Sequence, residues 1–146
     1  MYKHILVPTD GSELSLKAAK TAAELASTLN AKVTAVYVIP SYMPPLMTEG
    51  TILYSEDITP QRYKAATEKS ARAALGKVEK TAGLKVGKVF LTNDQPWRGI
   101  IDTAKAKKCD LIVMASHGRK GISGLIIGSE THKVLTHSKT PVLVCR

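Results

Sequence analysis

CDLIVMASHGRKGISGLIIGSET, residues 109–131, carries more structural information than any other stretch of the chain. An apolar run, Leu111 to Ala115, breaks off at Ser116-His117-Gly118. A basic, glycine-rich loop follows, with Arg119, Lys120, Gly121 and Gly124, and Gly128-Ser129 then opens a helical pattern. Strand, glycine-rich loop and helix N-terminus, in that order, offer backbone N–H groups to a phosphate. The rest of the chain is expected to build a sheet that presents this loop.

Upstream, residues 3–8 (KHILVP) read as a short buried strand stopped by Pro8. Thr9-Asp10-Gly11-Ser12 is a turn in which Ser12 can cap a helix over 13–29, with Asn30 as its stop. Leu14, Ala18, Ala22, Leu25 and Leu29 recur at helical spacing and are expected to face the core. Residues 32–39 (KVTAVYVI) are β-branched and almost wholly apolar, as in a parallel strand covered on both faces. The connection at 40–59 holds Pro40, Pro44, Pro45 and Gly50 and has no period. It reads as a lid, a partner surface or a plain excursion, with Met43 and Met47 set to plug the open end of the sheet. Pro60 fits the first turn of a second helix that ends at Gly83, with Ala66, Ala73, Leu75, Val78 and Ala82 among its apolar positions. Residues 85–91 alternate as a more exposed strand, 97–107 form a third helix with Trp97 near the sheet edge, and 109–115 form the most apolar strand. A fourth helix starts at Gly128-Ser129, with Ser129 as a cap that also meets ligand, and Val142 to Cys145 is a last strand.

Alternating strands and helices with right-handed crossovers predict one domain, 1–146, of Rossmann-like three-layer α/β/α class. Its expected sheet is parallel, doubly wound and five-stranded, in the order 3-2-1-4-5. Such sheets bind ligand where strand order reverses, here between Pro8-Thr9-Asp10 and Ala115-Ser116-His117-Gly118. An apolar terminal strand at a sheet edge invites pairing, so a symmetric dimer through 141–146 is expected.

Composition narrows the function. The formal charge is +9, from 21 basic and 12 acidic residues, which suits anionic ligands. The charges are spread over helices and aromatics make up only 5%, which argues against a dedicated nucleic-acid reader. No apolar run is long enough for a membrane span, and the N-terminus lacks a secretory apolar core, so a soluble cytoplasmic protein is expected. Cys109 and Cys145 form no metal or redox motif and are read as small packing residues.

The blocks HILVPTDGS, CDLIVMASHGRKG and GSETHKVLTHSKTPVLV resemble, in this order and over the whole chain, the universal stress protein family. The nucleotide-binding branch of that family carries Gly, two residues, Gly, nine residues, then Gly and Ser/Thr. Gly118 and Gly128-Ser129 match the second and third elements, with nine residues between them, and Ala115 stands at the first. The resemblance implies ATP, or ADP or AMP, as ligand, with Asp10 by the ribose side and Val38 at the adenine edge. It places Gly118, Gly128, Ser129 and Thr131 around the phosphates. Pro8, Thr9, Met114, Ala115, His117 and Glu130 complete the expected contacts. The resemblance also implies a dimer through the last strand.

The chemistry of the residues bounds this reading. Asp10 can hold Mg²⁺ together with phosphate oxygens. The chain has no G-K-[ST] triplet and no nucleophile elbow, and no base and phosphate-clamping lysine fall together. The expectation is therefore a regulatory binding module acting in stress response through unidentified protein partners, with at most slow ATP hydrolysis. A dimeric scaffold that binds no nucleotide is the alternative, supported by Ala115. His117 reads either as a phosphate contact or as a residue that shapes its turn.

Overall fold

The computed structural model describes residues 1–42, 59–118 and 127–146. The expectations for Arg119, Lys120, Gly121 and Gly124, for Met43 and Met47, and for the middle of the 40–59 connection lie outside the described residues. The elements are β1 (His4–Pro8), α1 (Glu13–Leu29), β2 (Lys32–Ile39), α2 (Pro60–Ala82), β3 (Gly87–Thr92), α3 (Pro96–Ala106), β4 (Leu111–Ala115), α4 (Ser129–His137) and β5 (Val142–Cys145). All strand pairs are parallel, in the order β3-β2-β1-β4-β5.

Local chemistry fixes the helix ends. Ser12 Oγ accepts from the Ser15 N–H, and Asn30 closes α1 in the left-handed region at φ 51°. Thr59 caps α2 ahead of Pro60, and Gly83 ends that helix at φ 64°. Caps of this kind contribute about 1 kcal/mol each.

The sheet is covered on both faces. Ile5, Val7, Val33, Ala35, Leu111 and Val113 pack with α1 and α2. Leu6, Val36, Ile112 and Met114 pack with Ile100 and Ala104 of α3 and Val134 of α4. Adjacent residues of each strand thus enter opposite cores, as a pleat of period two requires.

The buried face of α1 includes the expected Ala18 and Ala22, and Leu25 packs against its margin, but alanines rather than leucines make up its centre. Ala18, Ala19, Ala22, Ala23 and Ala26 are buried, whereas Leu14, Leu25 and Leu29 are half-buried at its flanks. A methyl stripe lets the helix axis sit close to the sheet, and leucines at its centre would hold it off. On α2, Ala71, Ala74, Leu75 and Val78 are buried, while Ala66 and Ala73 face solvent. Alanine is neutral enough to occur on either face, so its positions carry little directional information.

The two edges differ. On β3, Lys88 pairs with Glu79 of α2, and a charge of this kind discourages strand addition. On β5, Val142–Cys145 holds no charged residue, and Leu143 is 38% exposed.

Two groups below the sheet respond to pH. The Asp110 carboxylate accepts the Lys3 N–H at 2.8 Å and the His4 N–H at 2.9 Å, tying the start of β4 to the start of β1. Partial burial pushes its pKa up, but those backbone bonds outweigh it and the net shift is downward. The folded value lies below the unfolded one, about 3.9. The contribution of Asp110 is therefore present above the unfolded pKa and lost as pH falls through the folded pKa. Asp110→Asn is expected to lower the urea midpoint at pH 7 and to leave a shallower loss of stability below about pH 4. Urea titrations at a series of pH values check both.

The neighbouring Cys109 is buried. Burial first, and then the Asp110 charge, push its pKa up to about 11. In native protein Cys109 is expected to resist iodoacetamide at pH 8 and to react only on unfolding, which peptide mass mapping detects.

Candidate functional site

The carboxyl ends of β1 and β4 are where the crossover direction reverses, and two loops meet there. In the first, the Thr9 N–H donates to the Val36 carbonyl of β2 at 2.9 Å. The Thr9 and Ser15 hydroxyls share a 2.9 Å hydrogen bond, and the Gly11 N–H donates to Thr9 Oγ1 at 3.1 Å. Asp10 Oδ1 accepts the Ser12 N–H at 2.9 Å. The turn is thereby fixed to both β2 and α1, and its second carboxylate oxygen is aimed at the other loop. A Cβ added to Gly118 would lie 2.7 Å from Asp10 Oδ2.

The second loop leaves β4 at Ser116, whose N–H donates to the Cys145 carbonyl and whose own carbonyl accepts the Gly128 N–H, both at 2.8 Å. The Ser116 hydroxyl and His117 Nδ1 share a 3.1 Å hydrogen bond, so His117 helps to shape its turn. The buried Thr131 hydroxyl donates to the Ala115 carbonyl at 2.9 Å. These bonds set the first turn of α4 directly above the end of β4. The N-cap of α4 is Gly128 and no side chain caps it, so Ser129 is the first helical residue and not the cap expected from sequence. The N–H groups of Ser129, Glu130 and Thr131 have no acceptor within the helix.

A cavity of about 560 Å³ lies between the loops. Its lining contains all twelve expected residues: Pro8, Thr9, Asp10, Val38, Met114, Ala115, His117, Gly118, Gly128, Ser129, Glu130 and Thr131. It also contains Ser15, Val36, Tyr37, Pro40, Pro96 and Ile100, which sequence reasoning missed. Pro96 and Ile100 arrive from α3 through tertiary packing, and no local pattern connects them to this loop. Ser15 had a usable signal, as a hydroxyl one turn into a helix whose neighbours on that face are alanines. The β2 side offers apolar surface at Val36, Val38 and Pro40. The α4 side offers hydroxyls and backbone N–H groups. This arrangement suits a ligand with a flat apolar body and an anionic end.

The metal expectation can be tested on the donor set. Among the described residues no group of three His, Cys, Asp or Glu side chains could hold a metal ion. Asp10 contributes one carboxylate, so a cation there would need its remaining ligands from a bound anion. The charged residues in the described lining are Asp10 and Glu130.

Ala115 departs from the motif less than its position suggests. It is in register with Cys145, which packs against the α1 face. Paired residues share a face, so the Ala115 methyl lies on the α1 side of the sheet. Met114, its neighbour, faces α3.

A family model for the universal stress protein family matches residues 1–146. The chain belongs to the universal stress protein family. Universal stress protein MJ0531 of Methanocaldococcus jannaschii is 36% identical, over 100% of this chain and 83% of that protein. Among solved structures, hypothetical protein MJ0577 superposes with a TM-score of 0.77 at 28% identity, covering 99% of this chain and 96% of the other. A universal stress protein solved in complex with cAMP superposes with a TM-score of 0.65 at 25% identity, covering 98% and 95%. These likenesses agree with the parallel 3-2-1-4-5 sheet, the topology expected from the sequence. No helix among the described residues is long and apolar enough to cross a membrane.

Proposed function

We propose that this universal stress protein is a regulatory module that binds an adenine nucleotide in the crevice between β1 and β4. The observation that carries the reading is a cavity of about 560 Å³ in which Asp10, Val38, Gly118, Gly128, Ser129 and Thr131 converge from four separate segments of the chain. Adenine would lie over Val36 and Val38, ribose beside Asp10, and phosphate at the first turn of α4. A related universal stress protein solved with cAMP supports the ligand class. ATP is the ligand favoured by the glycine spacing, with Mg²⁺ held by Asp10 and phosphate oxygens. Occupancy would alter which protein partner is engaged during stress.

The test is isothermal titration of the purified protein with ATP, with and without Mg²⁺, alongside cAMP and adenosine. Heat that saturates below about 1 mM ligand is expected, the range in which binding free energies exceed roughly 4 kcal/mol. No heat from any of the four titrations would reject the reading.

The scaffold that binds no nucleotide has one specific observation behind it, the Ala115 side chain at the first motif position. With the methyl on the α1 side, Ala115→Gly is expected to change affinity by less than about threefold, within the few tenths of a kcal/mol usual for a site without strain. Nucleotide binding that appears only in Ala115→Gly would favour the scaffold.

The dimer is proposed through residues 141–146. The uncharged β5 edge and the exposed Leu143 would be covered by the same strand of a second copy. Leu143→Lys is expected to shift the protein from dimer to monomer in sedimentation. A monomeric parent would remove this part of the proposal.

A further inference from the structure

Glu130 lines the cavity, yet both of its carboxylate oxygens are engaged by protein groups. Oε2 accepts the Trp97 N–H at 2.9 Å, and Oε1 accepts from Lys133 Nζ at 3.2 Å. The Trp97 N–H belongs to the first turn of α3, and Gln95, at the N-cap of that helix, makes no side-chain capping bond. An acid in the first turn of α4 therefore caps a different helix, 33 residues away. The same tryptophan meets the far end of α4, where its ring centroid lies 4.6 Å from that of His137. The start of α3 is thus held at both ends of α4, by its amide and by its ring.

This contact joins two walls of the cavity. Pro96 and Ile100 of α3 form one, and Gly128, Ser129 and Thr131 form the other. We infer that Glu130 is a positioning residue whose carboxylate fixes the separation of α3 and α4, and with it the width of the nucleotide crevice. The inference rests on the proposed nucleotide for its ligand, while the brace itself is a property of the free protein. It assigns Glu130 a task other than ligand contact. A carboxylate facing phosphates would repel them, whereas one committed to a helix N-terminus and a lysine has its charge balanced locally.

Three variants separate reach from charge. Glu130→Gln keeps an acceptor oxygen at the same reach without the charge. Glu130→Asp keeps the charge but falls a methylene short of the Trp97 N–H. Glu130→Ala has neither. If Glu130 positions the walls, the Asp and Ala variants weaken adenosine and ATP by the same factor, about fivefold, the low end of the cost of a charge-assisted bond, as fits one that is only partly buried. Glu130→Gln recovers most of that loss for both ligands.

The second readout needs no ligand. Trp97 is the sole tryptophan of the chain, so its emission in free protein reports this junction. A shifted spectrum is expected in the Asp and Ala variants, and a parental one in Glu130→Gln. ATP affinity that rises in both Gln and Ala while adenosine affinity is unchanged would mean that Glu130 acts by charge on the phosphates, and would overturn the inference. Parental Trp97 emission in the Asp and Ala variants would also overturn it. If the parent binds neither ligand, the nucleotide reading fails, and the emission spectra still decide whether Glu130 is the brace.

Discussion

Gly128→Val is expected to weaken nucleotide binding by at least about tenfold and to destabilise the fold by about 1–3 kcal/mol, the usual cost of forcing carbon into a filled space. The backbone angle at this position, φ −59°, is one that any residue adopts, so conformational freedom is not the reason for glycine. Space is the reason. A Cβ there would lie 3.1 Å from His117 Cα and 3.2 Å from the Ser116 carbonyl oxygen. Both are backbone atoms at the end of β4 and cannot turn aside as a flexible side chain would. Relief requires α4 to move away, which stretches the 2.8 Å bond from the Gly128 N–H to the Ser116 carbonyl. The same movement carries the N–H groups of Ser129, Glu130 and Thr131 away from the proposed phosphate position. Binding and stability should therefore fall together. Calorimetric titration and urea unfolding measure the two effects.

Gly76→Ala is the matched control. Nothing among the described residues lies within 4 Å of a Cβ added at Gly76, in the interior of α2, apart from the helix's own nearby backbone. That substitution is expected to stabilise by about 0.5–1 kcal/mol through helix propensity, with nucleotide affinity unchanged. A loss of binding in both glycine variants would show that the effect at Gly128 is not local.

Much of this architecture was legible because it is written in short-range chemistry. Ser12 and Asn30 bound α1, and Pro60 and Gly83 bound α2, because helix ends depend on residues within one turn. The unbroken apolar runs of β2 and β4 point to a sheet covered on both faces. Alternation of strand and helix then leaves few topologies, of which the 3-2-1-4-5 order is one, and it is the one the sheet adopts.

What the sequence did not disclose is non-local or depends on geometry finer than pattern. Alanines and leucines share the helical period of α1, and only the distance to the sheet selects the alanines for burial. The reason for Gly128 appears only when Ser116 and His117 are seen beneath it. Glu130 reads as one more residue of a phosphate loop until its oxygen is found 2.9 Å from the Trp97 N–H. Pro96 and Ile100 belong to a helix whose place over the crevice is set by the crossover from β3 to β4.

Ile112→Ala should have the largest effect on stability, about 2–5 kcal/mol. Ile112 is fully buried in the interior strand β4, where it pairs with Leu6 of β1 and Val142 of β5. It belongs to the core beneath α3 and α4, with Met114, Ile100 and Val134. Neighbours on adjacent strands are tied by backbone hydrogen bonds, so the site has little freedom to collapse around the missing atoms. The upper half of the range is therefore expected. Melting should fall by roughly 2–4 °C per kcal/mol for a chain of this size.

Saturating nucleotide distinguishes this variant from Gly128→Val. A ligand at 100 times its dissociation constant stabilises the folded state by about 2.7 kcal/mol. Ile112→Ala leaves the loop geometry at Ser116, Gly118 and Gly128 in place, so nucleotide should raise its melting temperature by nearly the parental increment. Gly128→Val disturbs the crevice itself, and at the same ligand concentration its increment should be largely lost. Equal increments in the two variants would place the nucleotide somewhere other than the first turn of α4.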